Sequence, residues 1–353
     1  MKLPKHRVPC CDIVLLVDSE TGEHTRSGAF RVDAGSVEAQ VLHSLRQQYV
    51  NVVPLPFDVN KRKTIAALQR LAPRLVFNLT EWIDGDRSRD HEITSLLETY
   101  GFSYTGTTGE GLRLTRDKVM AKAAVASLGI AVPQEYKPRG HVSGNARLPY
   151  PLFVKPRAGD GSDAISGAAL VYTQGELQRR LDLLRARNLG PSLCEEYIEG
   201  RDLFVALLGN KPQVLQPLEL RIGRQGAGAP RFATRLLKHD EAYKRRWRVG
   251  YREADLPRAT LTEIRQASQR VFHVLKLRDY ARLDFRLTAD FRLCFIEANA
   301  NPDLGRHTFG RERCFAGVEY PDLIRRIVRA ALARASRVTA NLPAAVDRRG
   351  NGR

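Results

Sequence analysis

Short apolar runs alternate with helix-period segments from the start of the chain. "DIVLLV" reads as a strand, and "SVEAQVLHSLRQQY" spaces Val37, Val41, Leu42 and Leu45 on one helical face. "NVVPLPF" predicts the next strand, "KTIAALQRL" the next helix and "RLVFNLT" a third strand. This strand–helix–strand order implies parallel pairing, with ligands beyond the carboxyl ends of the strands, where Asn78, Thr80 and Glu81 fall. "HEITSLLETYG" predicts a helix stopped by Gly101, and "TRDKVMAKAAVASLGIAVP" a helix stopped by Gly129. After Pro151 the pattern changes. "YPLFVKP" and "ALVYT" read as strands flanking a Gly/Ser/Asp loop, and "QGELQRRLDLLRARN" reads as an amphipathic helix. Strand character flanks "EEYIEG". A helix follows near "LTEIRQASQRVFHVLKL", then a hairpin over "YARLDFRLTADFRLCFIEAN" and a terminal helix over "YPDLIRRIVRAALARA".

The hairpin carries the chemistry. Pairing Asp284 with Glu297 sets Arg282 against Asn299 and puts the turn at Ala289 to Arg292. Leu283, Phe285, Leu287, Cys294, Ile296 and Ala298 then share one face, and Arg282, Asp284, Glu297 and Asn299 the other. A slip of one residue would set charges against apolar groups, so burial pins the register. Two neighbouring carboxylates repel each other unless a cation lies between them. Hard oxygen ligands of this kind suit magnesium, and an adjacent arginine suits a phosphate. A salt bridge between Arg282 and Asp284 above a turn at "NANPD" accounts for the same residues, and the hairpin alone leaves both readings open.

Three further segments bear on an anionic ligand. "FVKPRAGDGS" ends a buried strand at Lys155 and follows it with Gly159, Gly161 and Ser162, where backbone amides can approach a phosphate. "CEEYIEGRD" offers Glu195, Glu196 and Asp202 on a crossing segment, which could give backbone groups to an adenine edge and a carboxylate to ribose hydroxyls. Lys238 lies in the basic stretch "TRLLKHDEAYKRRW". Taken singly, each is equally a turn or a surface lysine.

Composition narrows the classes. The 353 residues are 43% hydrophobic, enough for two or three domains with a sizeable core. No apolar run reaches the roughly 18–20 residues of a membrane span, and the run from Ile13 to Val17 is too short for a signal peptide. Five sparse cysteines, with Cys10 and Cys11 adjacent, fit a reducing, cytoplasmic setting. The net charge of +18 favours anionic partners: a nucleotide, an acidic substrate or nucleic acid.

In order and spacing, "VFNLTE", "LLETYGFSYTGTT", "RDKVMAK", "FVKP", "EEYIEGRD", "ARLDFRL" and "FIEANANP" resemble the ATP-grasp ligases, and among them the D-alanine–D-alanine ligase branch, from about Leu75 to Leu323. The resemblance implies an α/β chain with α+β elements in the ATP-grasp fold. Its N-terminal αβ domain would span residues 1–113, with two lobes gripping ATP at 114–198 and 199–338 and a basic tail at 339–353. It implies an ATP-dependent carboxylate–amine ligase that forms an amide through an acylphosphate. Lys118, Lys155, Ser162 and Lys238 would attend the phosphates. Glu195, Glu196, Tyr197 and Ile198 would face adenine, and Asp202, where the family has Glu, would take the ribose. Arg282 would stabilise the transferred phosphoryl group, and Asp284, Glu297 and Asn299 would hold two Mg2+ ions, with Mn2+ as a substitute. Glu38 is the best candidate to hold the first substrate.

The chain also departs from the branch. Asp163 replaces a serine in "DGSDAISG", and Asp303 replaces a glycine in "NANPDLG" with no serine downstream. An added acid near the acceptor argues against D-alanine and for a cationic or amine-rich acceptor. The expected partners are therefore a small carboxylate and an amine, with no membrane, nucleic acid disfavoured and a homodimer allowed. A true D-alanine–D-alanine ligase, or a non-catalytic nucleotide- or nucleic-acid-binding protein, are the alternatives.

Overall fold

The computed structural model describes residues 11–137, 148–159, 165–224, 226, 228–234, 236–237, 240–305, 315 and 317–340, the last five of these as backbone only. Strands β1 (Cys11–Val17), β4 (Val52–Pro56) and β5 (Pro73–Asn78) form a parallel sheet in the order β4-β1-β5. The unbroken apolar run of β1 follows from burial on both faces. Ile13, Leu15 and Val17 enter one core, Val14 and Leu16 another. Helices α1 (Val37–Arg46) and α2 (Lys61–Leu71) cross between these strands and start at the side-chain caps Ser36 and Asn60. The hairpin of β2 (Gly22–His24) and β3 (Phe30–Val32) is interposed between β1 and α1.

Helix α3 (Asp90–Thr99) ends as expected, with Gly101 at φ +72° just beyond it. The single helix expected over "TRDKVMAK" is two. Helix α4 (Gly109–Arg116) stops at Asp117, whose carboxylate accepts from the backbone of Val119 and Met120 and starts α5 (Lys118–Ala126). An aspartate that bonds nearby backbone amides offers the chain an alternative to continuing the helix.

The second sheet is antiparallel, in the order β6-β9-β7-β8: β6 (Glu135–Tyr136), β9 (Ser192–Glu196), β7 (Leu152–Pro156) and β8 (Leu170–Val171). Helix α6 (Gln174–Ala186) covers it with Leu177, Leu181 and Leu184. The third sheet is also antiparallel. Its order is β13-β12-β10-β14-β15, from β13 (Val249–Glu253), β12 (Leu218–Ile222), β10 (Arg201–Leu208), β14 (Tyr280–Leu287) and β15 (Leu293–Asn299), with β11 (Gln213–Val214) paired to β10. A short helix, α7 (Glu241–Trp247), precedes β13. Leu203, Val205, Leu283 and Phe285 pack toward helix α8 (Arg258–Val274). Phe204, Ala206 and Leu208 turn the other way, into a core shared with β1 and α1. The terminal helix α9 (Tyr320–Ala340) fills that shared core with Leu323, Ile324, Ile327, Val328 and Ala331, a helix-period stripe.

One buried acid ties these parts together. Asp279, with no exposed surface, pairs with Arg334 of α9 and accepts from Asn210 Nδ2 (3.1 Å) and from the Gly106 amide (2.8 Å). Gly106 sits at φ +94°, and a Cβ there would lie 2.8 Å from the Asn301 amide, so only glycine fits. Replacing Arg334 with Met leaves the Asp279 charge buried without its cation. Arg334→Met should lower unfolding free energy by about 3 kcal/mol, measured by urea titration.

Candidate active site

A solvent-open cleft of about 650 Å³, the open solvent included, lies between the second and third sheets. Its wall is built from the end of β9 and the segment that follows (Glu195, Glu196, Tyr197 and Ile198), from Asp202 on β10, and from Asp284, Arg286, Ile296 and Glu297 on the β14–β15 hairpin. Phe153, Ile165 and Phe232 make one side apolar.

The hairpin register is the expected one at the acids: Asp284 opposes Glu297, and Arg282 opposes Asn299. Beyond Asp284 the structure corrects it. A bulge at Ile296 pairs Phe285 with Phe295, Arg286 with Cys294 and Leu287 with Leu293. Cys294 and Ile296 therefore leave the apolar face assigned to them. Phe295 and Leu293 take their place in the core against α8, and the turn becomes Thr288 to Arg292. One extra residue on one strand reverses the alternation on that strand only.

The two readings of the hairpin coexist. Arg282 bridges Asp284 through both carboxylate oxygens, at 2.7 and 3.0 Å, and its guanidinium lies over the Phe204 ring at 5.7 Å. Asp284 and Glu297 both still line the cleft. The amide nitrogen of Asn299 is buried without a hydrogen-bond partner. Asn301, which looks equivalent in "NANP", accepts from the Thr107 amide at 3.0 Å and serves the turn. Among the described residues no group of three His, Cys, Asp or Glu side chains converges to hold a metal by itself. Two carboxylates and one amide fit an ion that draws its remaining oxygens from a bound phosphate, as magnesium commonly does.

Lys155 and Lys122 share one buried carboxylate. Lys155 stands 2.7 Å from Glu195 Oε1, and Lys122 contacts Glu195 Oε2. Burial works against the charge of both lysines, and Glu195 supports both. With Glu297 also nearby, Lys155 is held above the ordinary lysine range. Lys122, further opposed by Lys155, falls to about 8. Glu195 stays below the usual carboxylate range: burial pushes it up, and the two lysines more than offset this. The side chain of Glu195 is thus directed at the lysines. Lys118 is buried, and its ammonium donates to the Gly159 carbonyl in the loop after β7.

Asp202 is engaged by Arg286, whose Nε lies 2.9 Å from Oδ1. Glu38 is in the first turn of α1 and does not line this cleft. It lies near Asp18 at the end of β1. Burial raises the Asp18 carboxyl to about 6, the Glu81 and Trp82 amides oppose that rise, and the Glu38 and Glu20 charges add to it. Asp303 is exposed, and its Oδ1 accepts from the Gly305 amide at 2.7 Å. Ser162 and Lys238 lie outside the described residues, as do Cys10, Cys314 and Asp163. Lys122 and Arg286 were not expected from the sequence. Their signals were the i+4 spacing from Lys118 on one helix and the i+2 spacing from Asp284 on one strand.

The family described as D-ala D-ala ligase C-terminus matches residues 134–329. An uncharacterised protein of Sinorhizobium fredii is 32% identical over 265 residues, covering 72% of this chain and 73% of that protein. The D-alanine–D-alanine ligase of Moorella thermoacetica is 27% identical, covering 85% and 93%. In fold, the chain resembles the D-alanine–D-alanine ligase of Bacillus anthracis solved with ATP. The TM-score is 0.67 at 18% identity, covering 93% of this chain and 99% of that one.

Lys122 carries a pH signature. Folded, it loses its proton near 8; unfolded, near 10.5. Between these values the unfolded chain binds more protons, so this lysine makes unfolding free energy rise with pH, by about 3 kcal/mol in all. Urea unfolding at pH 7.5 and 10 should show that rise in the wild type and a correspondingly smaller one in Lys122→Met.

Proposed function

The chain belongs to the D-alanine–D-alanine ligase family of ATP-grasp enzymes, and from that premise we propose that it joins a small carboxylate to an amine-rich acceptor at the cost of ATP. The observation that carries the reading is the facing pair Asp284 and Glu297 on the same cleft wall as the Glu195–Ile198 segment. An acid pair next to an apolar slot suits a purine triphosphate whose base lies among Phe153, Tyr197 and Ile198 and whose phosphates extend toward the hairpin. A protein that only bound nucleotides would have no need of the acid pair, and the ligase relatives likewise disfavour that reading.

In the proposed reaction a substrate carboxylate oxygen attacks the γ-phosphorus, the bond to the bridging oxygen breaks, and ADP leaves. The amine nitrogen then attacks the acyl carbon. Phosphate departs with the former carboxylate oxygen, and the nitrogen gives up a proton. Lys118 and Lys155 neutralise phosphate oxygens, with Ser162 and Lys238 as further candidates. Arg282 meets charge on the phosphoryl group in flight. Asp284, Glu297 and Asn299 would hold magnesium, two ions by resemblance, which supplies charge neutralisation and alignment of the phosphates when bound. Glu195 acts through the lysines it fixes, and the backbone of Glu196 to Ile198 offers hydrogen bonds to the base. Glu38, with Asp18 beside it, is proposed for the first substrate. Asp303 leans the acceptor toward a cation. The division at about residues 113, 198 and 338 follows the same reading: an N-terminal substrate part, two lobes on the nucleotide, and a basic extension. A cytoplasmic location fits the free buried thiols Cys194 and Cys294, and no described helix is long and apolar enough to cross a membrane.

A panel of carboxylates and amines assayed for ADP release should give magnesium-dependent turnover with cationic amines. Glu297→Gln should lower that turnover by about 100-fold or more, in line with the loss of a major electrostatic contributor. Unchanged turnover in the variant would remove the acid pair from the mechanism. Turnover with D-alanine alone would discard the cationic acceptor.

A further inference from the structure

Arg286 has no part in the reaction described above, yet it is almost fully enclosed in the wall of the cleft. It shares the polar face of β14 with Arg282 and Asp284, and its side chain is 6% exposed. All three guanidinium nitrogens are committed. Nε lies 2.9 Å from Asp202 Oδ1, Nη1 donates to the Gly200 carbonyl at 2.6 Å, and Nη2 to the Arg231 carbonyl at 3.2 Å. The Tyr197 ring lies 5.4 Å from its centre. The second oxygen of Asp202 accepts from the Ala233 amide at 3.2 Å.

Asp202 is the acid placed to read a sugar beside the base slot. A carboxylate reads ribose hydroxyls by accepting from them, and the direction of this one is set by two contacts, Arg286 on Oδ1 and the Ala233 amide on Oδ2. Turning it to a sugar would strip a buried guanidinium of its counter-charge, a loss larger than one hydroxyl contact returns.

We propose that Arg286 is a specificity-determining residue of the nucleotide cleft: by holding Asp202 it takes that acid out of sugar recognition, so the cleft binds ATP and 2′-deoxy-ATP alike. The proposal rests on the ATP reading above. Discrimination then falls to the base slot and the phosphate groups, and the ribose passes unread. The Gly200 and Arg231 carbonyls, held by the same guanidinium, fix the β9–β10 connection and the segment carrying Phe232 on either side of the base.

Calorimetric titration of the full chain with magnesium-ATP and with magnesium-2′-deoxy-ATP tests this without knowledge of the other substrates. The wild type should give dissociation constants within about threefold of each other, and Asp202→Asn should keep that ratio. Arg286→Leu, checked for folding by circular dichroism, releases Asp202 and should open the ratio to about tenfold in favour of ATP, equivalent to about 1.4 kcal/mol. Asp202→Asn also leaves the Arg286 charge buried without its acid and is checked in the same way; if neither variant folds, the wild-type ratio alone decides, threefold or less supporting the inference and tenfold in favour of ATP overturning it. A wild type that already prefers ATP tenfold, with the preference erased by Asp202→Asn, overturns the inference and leaves the ATP reading standing. Binding of neither nucleotide overturns the ATP reading and the inference with it.

Discussion

Strand β14 is buried along all eight of its residues, yet it carries Arg282, Asp284 and Arg286. Its neighbours β10 and β15 and the two cores on either side leave those charges little access to water. Each must therefore find its partner within the protein, since an unpaired buried charge costs several kcal/mol, roughly as much as a domain can spare. Arg282 takes Asp284, and Arg286 takes Asp202 and two carbonyls. With the arginines so fixed, the acids on this face are held at the wall of the cleft and the wall is stiff. The site is a consequence of how a buried strand keeps its charges satisfied.

The same logic operates across the cleft. Lys122 and Lys155 come from different elements and meet on Glu195, which alone cannot fully support two buried ammonium groups. One lysine keeps its proton firmly and the other holds it loosely. The net result is a positive site at the edge of the slot, built from groups that hold each other in place. The local balance of two lysines against one acid adds positive charge to the field the ligand meets.

Much of this was legible in the sequence because it follows from short periods. Alternation at 282, 284, 297 and 299 placed the acids opposite each other, since a strand repeats every two residues and burial forbids a slip. The parallel N-terminal sheet and the helix stripe of α9 came from the same kind of pattern. The ligase family was legible too, because its motifs recur in order over most of the chain.

What the sequence determined, then, were local periods and the order of chemical groups along the chain. The tertiary structure decided which of those groups meet. No local pattern marks Ile296 as the bulge that puts Phe295 in place of Cys294 on the face against α8, because a bulge is settled by how the hairpin packs on α8. Nothing near position 122 announces a partner at 195, and nothing near 202 announces one at 286. Nor do the similar words around Asn299 and Asn301 tell an amide nitrogen left buried without a partner from an amide that tethers a turn to Thr107. Burial and charge compensation act between residues close in space and distant in the chain, so only the folded arrangement could set them.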